Sequence, residues 1–124
     1  MSKEKLYIFD TTLRDGAQTQ GVDFSIDDKE KISNSLDNLG VDYIEGGWPG
    51  ANPTDTEFFN KDHGFKNAKL TAFGMTKKSE HSAENDPMLA SLINSKSSSV
   101  CLFGKSWDFQ VDVALVISNE ENLE

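Results

Sequence analysis

Short apolar runs alternate with segments of helical periodicity along this chain. Four apolar runs, each close to a glycine, predict strands at residues 6–9, 43–46, 70–73 and 100–103. Strands that are apolar along their whole length are typical of a parallel sheet buried on both faces. Their spacing of roughly 30 to 40 residues fits strand-helix-strand crossovers. The pattern therefore predicts an α/β fold built from parallel units.

The segment between the first two predicted strands carries the clearest helix signal. Ser25 is followed by two acidic residues, which is typical of a helix start. The spacing of Ile32, Leu36 and Leu39 predicts one apolar face, and Gly40 can end the helix.

Three later segments also carry helix start signals. The residue pairs 52–53 and 86–87 each place a capping side chain before a proline, which predicts two helices. Residues 118–121 form a capping box, yet the sequence stops at Glu124. We therefore expect the chain to be the N-terminal part of a longer protein, with a frayed polar tail as the alternative.

Composition narrows the class of protein. The 124 residues suffice for one compact domain, and the net charge of -9 disfavours nucleic-acid and anionic-membrane partners. No apolar run approaches the roughly 18 residues of a membrane helix, and no credible signal peptide is present, so we expect a cytoplasmic protein. The single cysteine, Cys101, lies in an apolar run and is predicted to be a buried small hydrophobe.

The candidate chemistry lies directly after the first predicted strand, in residues 10–18. Arg14 stands next to Asp15, and Gln18 follows within the same turn-forming stretch. A guanidinium can polarise a carbonyl while a neighbouring carboxylate holds a divalent ion, so this pattern favours an electrophilic site. The alternatives are that Asp15 only caps a turn and that Arg14 only forms a surface ion pair.

Residues 10–18 and 42–55 together resemble the metal-dependent acyltransferase and lyase superfamily of isopropylmalate synthase, homocitrate synthase and hydroxymethylglutaryl-CoA lyase, particularly its citramalate synthase branch. The stretches 69–74, 85–87 and 103–109 agree with that branch, so the resemblance covers essentially the whole chain. It implies a TIM-type (β/α)8 barrel with the motifs at the C-terminal ends of the strands. Residues 1–124 would be the N-terminal half of a single HMGL-like (pyruvate-carboxyltransferase-like) barrel, about its first four βα units.

The resemblance also implies roles for four residues. Asp15 would ligate Mg²⁺ or Mn²⁺, which prefer carboxylate oxygens. Arg14 would stabilise the negative charge that develops on the keto oxygen of a 2-oxo acid, and Gln18 would add a hydrogen bond to that acid. Glu45, at the end of the second predicted strand, would pair with Arg14 or support the metal, with a purely structural ion pair as the alternative.

The reaction implied is an acyltransferase condensation of acetyl-CoA with a short 2-oxo acid, most favourably pyruvate, giving citramalate for branched-chain amino-acid synthesis. The full-length protein would be a homodimer. Proteins of this superfamily complete their metal site with a His-x-His pair, which this sequence lacks, so the other ligands are expected outside it and the isolated chain is expected to be inactive. Two alternatives stay open: a related isopropylmalate or homocitrate synthase or lyase, and a non-catalytic half-barrel that assembles with a partner.

The remaining polar candidates carry weaker signals. His63 and His81 are 18 residues apart in polar surroundings, which is not a ligand spacing, so we expect both in solvent. The lysine pair at 77–78 follows the third predicted strand and is interpreted as solvated, with contact to the phosphates of CoA as the alternative.

Overall fold

A parallel four-stranded sheet with helices between its strands forms the centre of the computed structural model, which describes residues 3–124. The strands lie side by side in chain order: β1 (Phe9–Asp10), β2 (Tyr43–Gly47), β3 (Lys69–Met75) and β4 (Ser99–Phe103). The helices between them are α1 (Ile26–Leu39), α2 (Pro53–Phe59) and α3 (Pro87–Asn94). The predicted α/β class with a parallel sheet is therefore confirmed.

Short helical pieces complete the chain. A 3₁₀ turn at Gly16–Gln18 follows β1, and after β4 come α4 (Asp108–Gln110), a π-helical turn (Val111–Leu115) and α5 (Asn119–Asn122). The helix predicted to open at residue 118 is α5, and the Ser118 hydroxyl accepts a hydrogen bond from the backbone N–H of Glu121. The predicted capping box is only half formed, because the Glu121 carboxylate accepts from the Ser79 hydroxyl instead. Among residues 3–124, no helix is long and apolar enough to cross a membrane.

The predicted helix starts agree with the structure. Ser25 forms a reciprocal capping box with Asp28, and α1 ends at Gly40 with φ of +88°. The Asn52 side chain caps α2, and the Asp86 carboxylate caps α3 by accepting two backbone N–H groups. Local hydrogen-bonding chemistry therefore sets where each helix begins.

The predicted apolar face of α1 is only partly correct. Ile32 and Leu36 pack against the core, but Leu39 is exposed. The residues of α1 that are buried are polar and four apart: Lys29, Ser33 and Asp37. Asp37 is buried because its carboxylate accepts backbone N–H groups of residues 66–68, so polar contacts as well as apolar ones attach this helix.

The first strand is shorter than predicted, and the outer strands are not buried on both faces. The prediction was residues 6–9, whereas β1 is Phe9–Asp10, and all four side chains of 6–9 are exposed. Each outer strand has one neighbour, which leaves its backbone edge open, and its two faces are also incompletely covered, so its side chains stay exposed. The core instead lies between the inner strands and the helices, in a cluster of Leu13, Val41, Ile44, Phe58, Phe59, Leu70, Ala72 and Leu92.

Candidate functional site

The loop after β1 folds tightly around one carbonyl oxygen. Thr11 O accepts hydrogen bonds from the backbone N–H groups of residues 14–16, at N–O distances of 2.8–3.2 Å. The Asp10 carboxylate accepts from both the backbone N–H and the hydroxyl of Thr12, at 2.9 and 3.1 Å. Because the turn starts where β1 ends, it places Arg14 and Asp15 at the C-terminal edge of the sheet.

Arg14 is held from three sides. Its Nε donates a hydrogen bond to Glu45 Oε2 at 2.7 Å, and its Nη1 donates to Asp15 Oδ1 at 3.1 Å. The guanidinium carbon lies 4.3 Å from the centroid of the Phe73 ring on β3. Glu45, on β2, is only 1% exposed. The expected pairing of Glu45 with Arg14 is therefore present, and it fixes the orientation of the only arginine in the sequence.

The Arg14 guanidinium still presents hydrogen-bond donors to a cleft. No residue in the described part of the chain accepts a hydrogen bond from its Nη2 group. Arg14 lines a cleft of about 660 Å³, and Gln18 lies on the wall of the same cleft. The structure thus brings Arg14, Asp15 and Glu45 into contact, and it places Gln18 beside them without direct hydrogen bonding.

Asp15 is the residue of this site that can ligate a metal ion. Its side chain is 62% exposed and forms an ion pair with Arg14. Carboxylate oxygens suit Mg²⁺ and Mn²⁺. Residues 3–124 contain no group of three or more His, Cys, Asp or Glu side chains placed to hold a metal ion. Asp15 therefore fits a metal as one ligand of a set, not as a complete site.

Cys101 lies on β4 next to this site and is half-buried rather than fully buried as predicted. Burial raises the pKa of its thiol, and the Glu45 carboxylate raises it further. A thiol with a raised pKa carries little thiolate near neutral pH, so Cys101 is a poor nucleophile.

Two buried charged residues at the site were not predicted from the sequence. Lys29 of α1 and Asp55 of α2 form an ion pair with an Nζ–Oδ1 distance of 2.5 Å. Asp55 also accepts hydrogen bonds from the Trp48 backbone N–H and the Asn52 side chain, at 2.9 and 3.0 Å. The available signal was the spacing of Lys29, Ser33 and Asp37, but polar residues four apart on a helix usually face solvent.

A larger cleft of about 980 Å³ adjoins the Arg14 cleft, and Trp48, Met75 and Lys105 line both. The lysine pair 77–78 lines the larger cleft beyond the end of β3. Lys78 is exposed, as predicted, whereas Lys77 is half-buried. Three lysines therefore line this cavity, together with four acidic residues: Glu84, Asp86, Glu121 and Glu124.

The histidines are packed to different extents. His63 Nε2 lies 2.8 Å from the carbonyl oxygen of Phe58, and its ring stacks between Phe58 and Phe65. The prediction that His63 lies in solvent is therefore wrong, because flanking aromatic rings cover it. His81 is partly exposed, and its Nδ1 lies 3.5 Å from the buried Asp86 carboxylate.

Comparison with known proteins gives a consistent set of relatives. A profile of the HMGL-like family matches residues 5–123. (R)-citramalate synthase of Aquifex aeolicus (strain VF5) is 54% identical over 122 residues, which are 97% of this chain and 23% of that protein. The (R)-citramalate synthase of Sulfolobus acidocaldarius is 48% identical over 126 residues, 100% of this chain and 24% of that protein. 2-Isopropylmalate synthase 1 of Caldanaerobacter subterraneus subsp. tengcongensis is 34% identical over 125 residues. The chain spans about a quarter of the length of the citramalate synthases it matches.

Proposed function

Because this chain belongs to the HMGL-like family, we propose that the longer protein containing it is an acyltransferase that condenses acetyl-CoA with pyruvate to give citramalate. The observation that carries the proposal is the Arg14 guanidinium, fixed by Glu45 and stacked on Phe73 at the edge of a cleft. The high identity to citramalate synthases along nearly the whole chain supports the same substrates.

The described residues would form the first four βα units of a (β/α)8 barrel. Support comes from four parallel strands in chain order and from a site that lies at their C-terminal edge. The two outer strands, β1 and β4, carry exposed apolar side chains that further strands would cover. In this proposal, residues 1–124 are the N-terminal half of one catalytic domain.

Arg14 would act on the carbonyl group of the 2-oxo acid. The methyl carbon of the acetyl thioester, after losing a proton to a base outside this chain, forms a bond to the keto carbon. The electron pair of the carbonyl bond moves to the keto oxygen, where Nη2 of Arg14 donates a hydrogen bond to the growing negative charge. A proton from solvent then converts this oxygen to the hydroxyl group of the product. Water then cleaves the thioester and releases CoA as a thiol. Glu45 keeps the guanidinium correctly oriented.

Asp15 and Gln18 would bind the same acid. Asp15 would hold a divalent metal together with ligands outside this chain, and such an ion polarises a carbonyl as a Lewis acid. Gln18 would donate a hydrogen bond to the carboxylate of the acid from the wall of the cleft.

The test uses the full-length protein with acetyl-CoA and Mn²⁺. Release of CoA thiol is measured with pyruvate, with a branched 2-oxo acid and with 2-oxoglutarate, and the product is identified by mass spectrometry. We expect pyruvate to give the highest kcat/KM and citramalate as product. Arg14→Met should reduce kcat about 100-fold or more, as loss of an oxyanion donor does, while the exposed Lys31→Met serves as the control.

Two outcomes would overturn the assignment. Preference for the branched 2-oxo acid would point to isopropylmalate synthesis, the activity named for one of the relatives. Absence of thiol release with every 2-oxo acid, in a folded protein that binds Mn²⁺, would exclude an acyltransferase of this kind.

A further inference from the structure

The ammonium group of Lys29 makes three contacts in the interior. Its Nζ donates to the carbonyl oxygens of Leu13 at 3.0 Å and Gly46 at 2.7 Å, and to Asp55 Oδ1 at 2.5 Å. The Lys29 side chain is only 4% exposed. Because an ammonium has three N–H donors, every one of them is used, and the group has one orientation.

The two carbonyl groups that Lys29 binds belong to the neighbours of the site residues. Leu13 directly precedes Arg14, and Gly46 directly follows Glu45. Lys29 itself comes from α1, so a third element joins the loop after β1 to the end of β2. The Arg14 loop and β2 are therefore joined in two ways: by the hydrogen bond between the Arg14 and Glu45 side chains, and by Lys29, which binds a backbone carbonyl on each.

We propose that Lys29 is a positioning residue, which Asp55 holds in place and which sets the distance between the Arg14 loop and β2. The proposal rests on the proposed function, because it concerns the geometry in which Arg14 meets the keto oxygen. Lys29 lies on the wall of the same cleft as Arg14, but protein oxygens take all three of its N–H groups. It therefore acts through the backbone beside Arg14 and Glu45. Small displacements of a positioned group reduce the rate of reaction strongly.

A purely stabilising role explains the arrangement less well. Replacing both members of a buried ion pair with uncharged residues of similar size is often nearly neutral for stability, whereas removing one member leaves an unpaired buried charge. Stability alone therefore gives little reason to bury a lysine against two backbone carbonyls at this point. Comparing the single variants with the double variant therefore distinguishes a positioning role of Lys29 from a purely stabilising one.

The experiment compares four full-length variants with the wild type: Lys29→Met, Asp55→Asn, the double variant Lys29→Met/Asp55→Asn, and the control Lys31→Met. Lys31 lies on the same helix, but its side chain is exposed and pairs with Asp27. For each protein we measure kcat, both KM values, the thermal midpoint, and hydrogen exchange of the backbone amides of residues 14–16, which bind Thr11 O.

We expect Lys29→Met to lower kcat about 10- to 100-fold, with the KM for acetyl-CoA changed less than about twofold. The double variant should regain part of the thermal stability because no unpaired charge remains, although the carbonyl groups of Leu13 and Gly46 still lack their donor, and its kcat should stay low. Amide exchange at residues 14–16 should be faster in both variants that lack Lys29, and Lys31→Met should behave as wild type.

Two results would overturn the positioning role: recovery of kcat together with stability in the double variant, or unchanged exchange at residues 14–16 when Lys29 is replaced. Failure of the proposed function gives a different pattern, because the wild type would then not release thiol while exchange at residues 14–16 still depends on Lys29.

Discussion

Replacing Gly47 with alanine tests the packing beneath the end of β2. Gly47 has φ of +141°, and a Cβ atom there would lie 2.5–2.6 Å from the carboxylate atoms of Asp55. Contacts this short require Asp55 to move, although it is 8% exposed and tied to Lys29 and to the Trp48 backbone. The substitution therefore combines backbone strain with loss of hydrogen bonds to a buried charge.

The loss of stability in Gly47→Ala is the sum of these two contributions. A non-glycine residue in an unfavourable backbone conformation costs about 1–3 kcal/mol. Loss or distortion of one hydrogen bond to a charged group costs about 1.5–3 kcal/mol. Together they lower the free energy of unfolding by about 2.5–6 kcal/mol, which is large for one methyl group.

The assay is urea denaturation of the full-length protein, with Gly40→Ala as the matched control. Gly40 also has positive φ, at +88°, but nothing lies within 4 Å of a Cβ built there. The control should therefore cost only about 1 kcal/mol, from backbone strain alone. If Gly47→Ala costs no more than Gly40→Ala, the described placement of Asp55 under β2 is refuted.

Three further predictions follow from the same structure. Hydrogen bonds from the backbone of Lys78 and α3 lower the pKa of the buried Asp86 to about 2, so Asp86→Asn should destabilise the protein by about 1–2 kcal/mol near pH 6. Because a lowered carboxylate pKa contributes stability that is lost as the pH falls through it, urea denaturation should show this difference reduced to about half by pH 3. The rate of Cys101 alkylation, followed by mass spectrometry, should be low at neutral pH and should still increase above pH 9. Glu45→Gln should raise this rate, because the Glu45 carboxylate raises the pKa of the thiol. A high rate at pH 7 would contradict the raised thiol pKa. The isolated 124-residue chain should release no thiol from acetyl-CoA with pyruvate and Mn²⁺, and measurable turnover would show that it holds a complete site.

Structural features that depend on residues adjacent in the sequence were predicted correctly. Capping at Ser25, Asn52 and Asp86 is local chemistry, and the structure has all three caps. The strands β2, β3 and β4 were also predicted within two residues at each end, because each contains a short apolar run close to a glycine. The Arg14 loop could be recognised for the same reason, since its residues are consecutive.

Features set by tertiary position could not be read from the pattern. Residues 6–9 are as apolar as an inner strand, yet they lie at an edge, so only two residues of β1 pair with β2. Lys29 looks like any helical surface lysine, because the three oxygens it binds come from distant parts of the chain. His63 is a different case, because the rings that cover it, Phe58 and Phe65, are close in the sequence, and their contact with His63 was missed.

The most direct test of the central claim is the kcat/KM for pyruvate of the full-length Arg14→Lys variant, measured beside its affinity for Mn²⁺. Lysine keeps the positive charge but has one donor nitrogen in place of three, so it cannot place one nitrogen against Glu45 and a second one toward a substrate oxygen, as the planar guanidinium can. We expect kcat/KM to fall about 100-fold with Mn²⁺ affinity unchanged. Retention of wild-type kcat/KM in this variant would contradict the role assigned to Arg14.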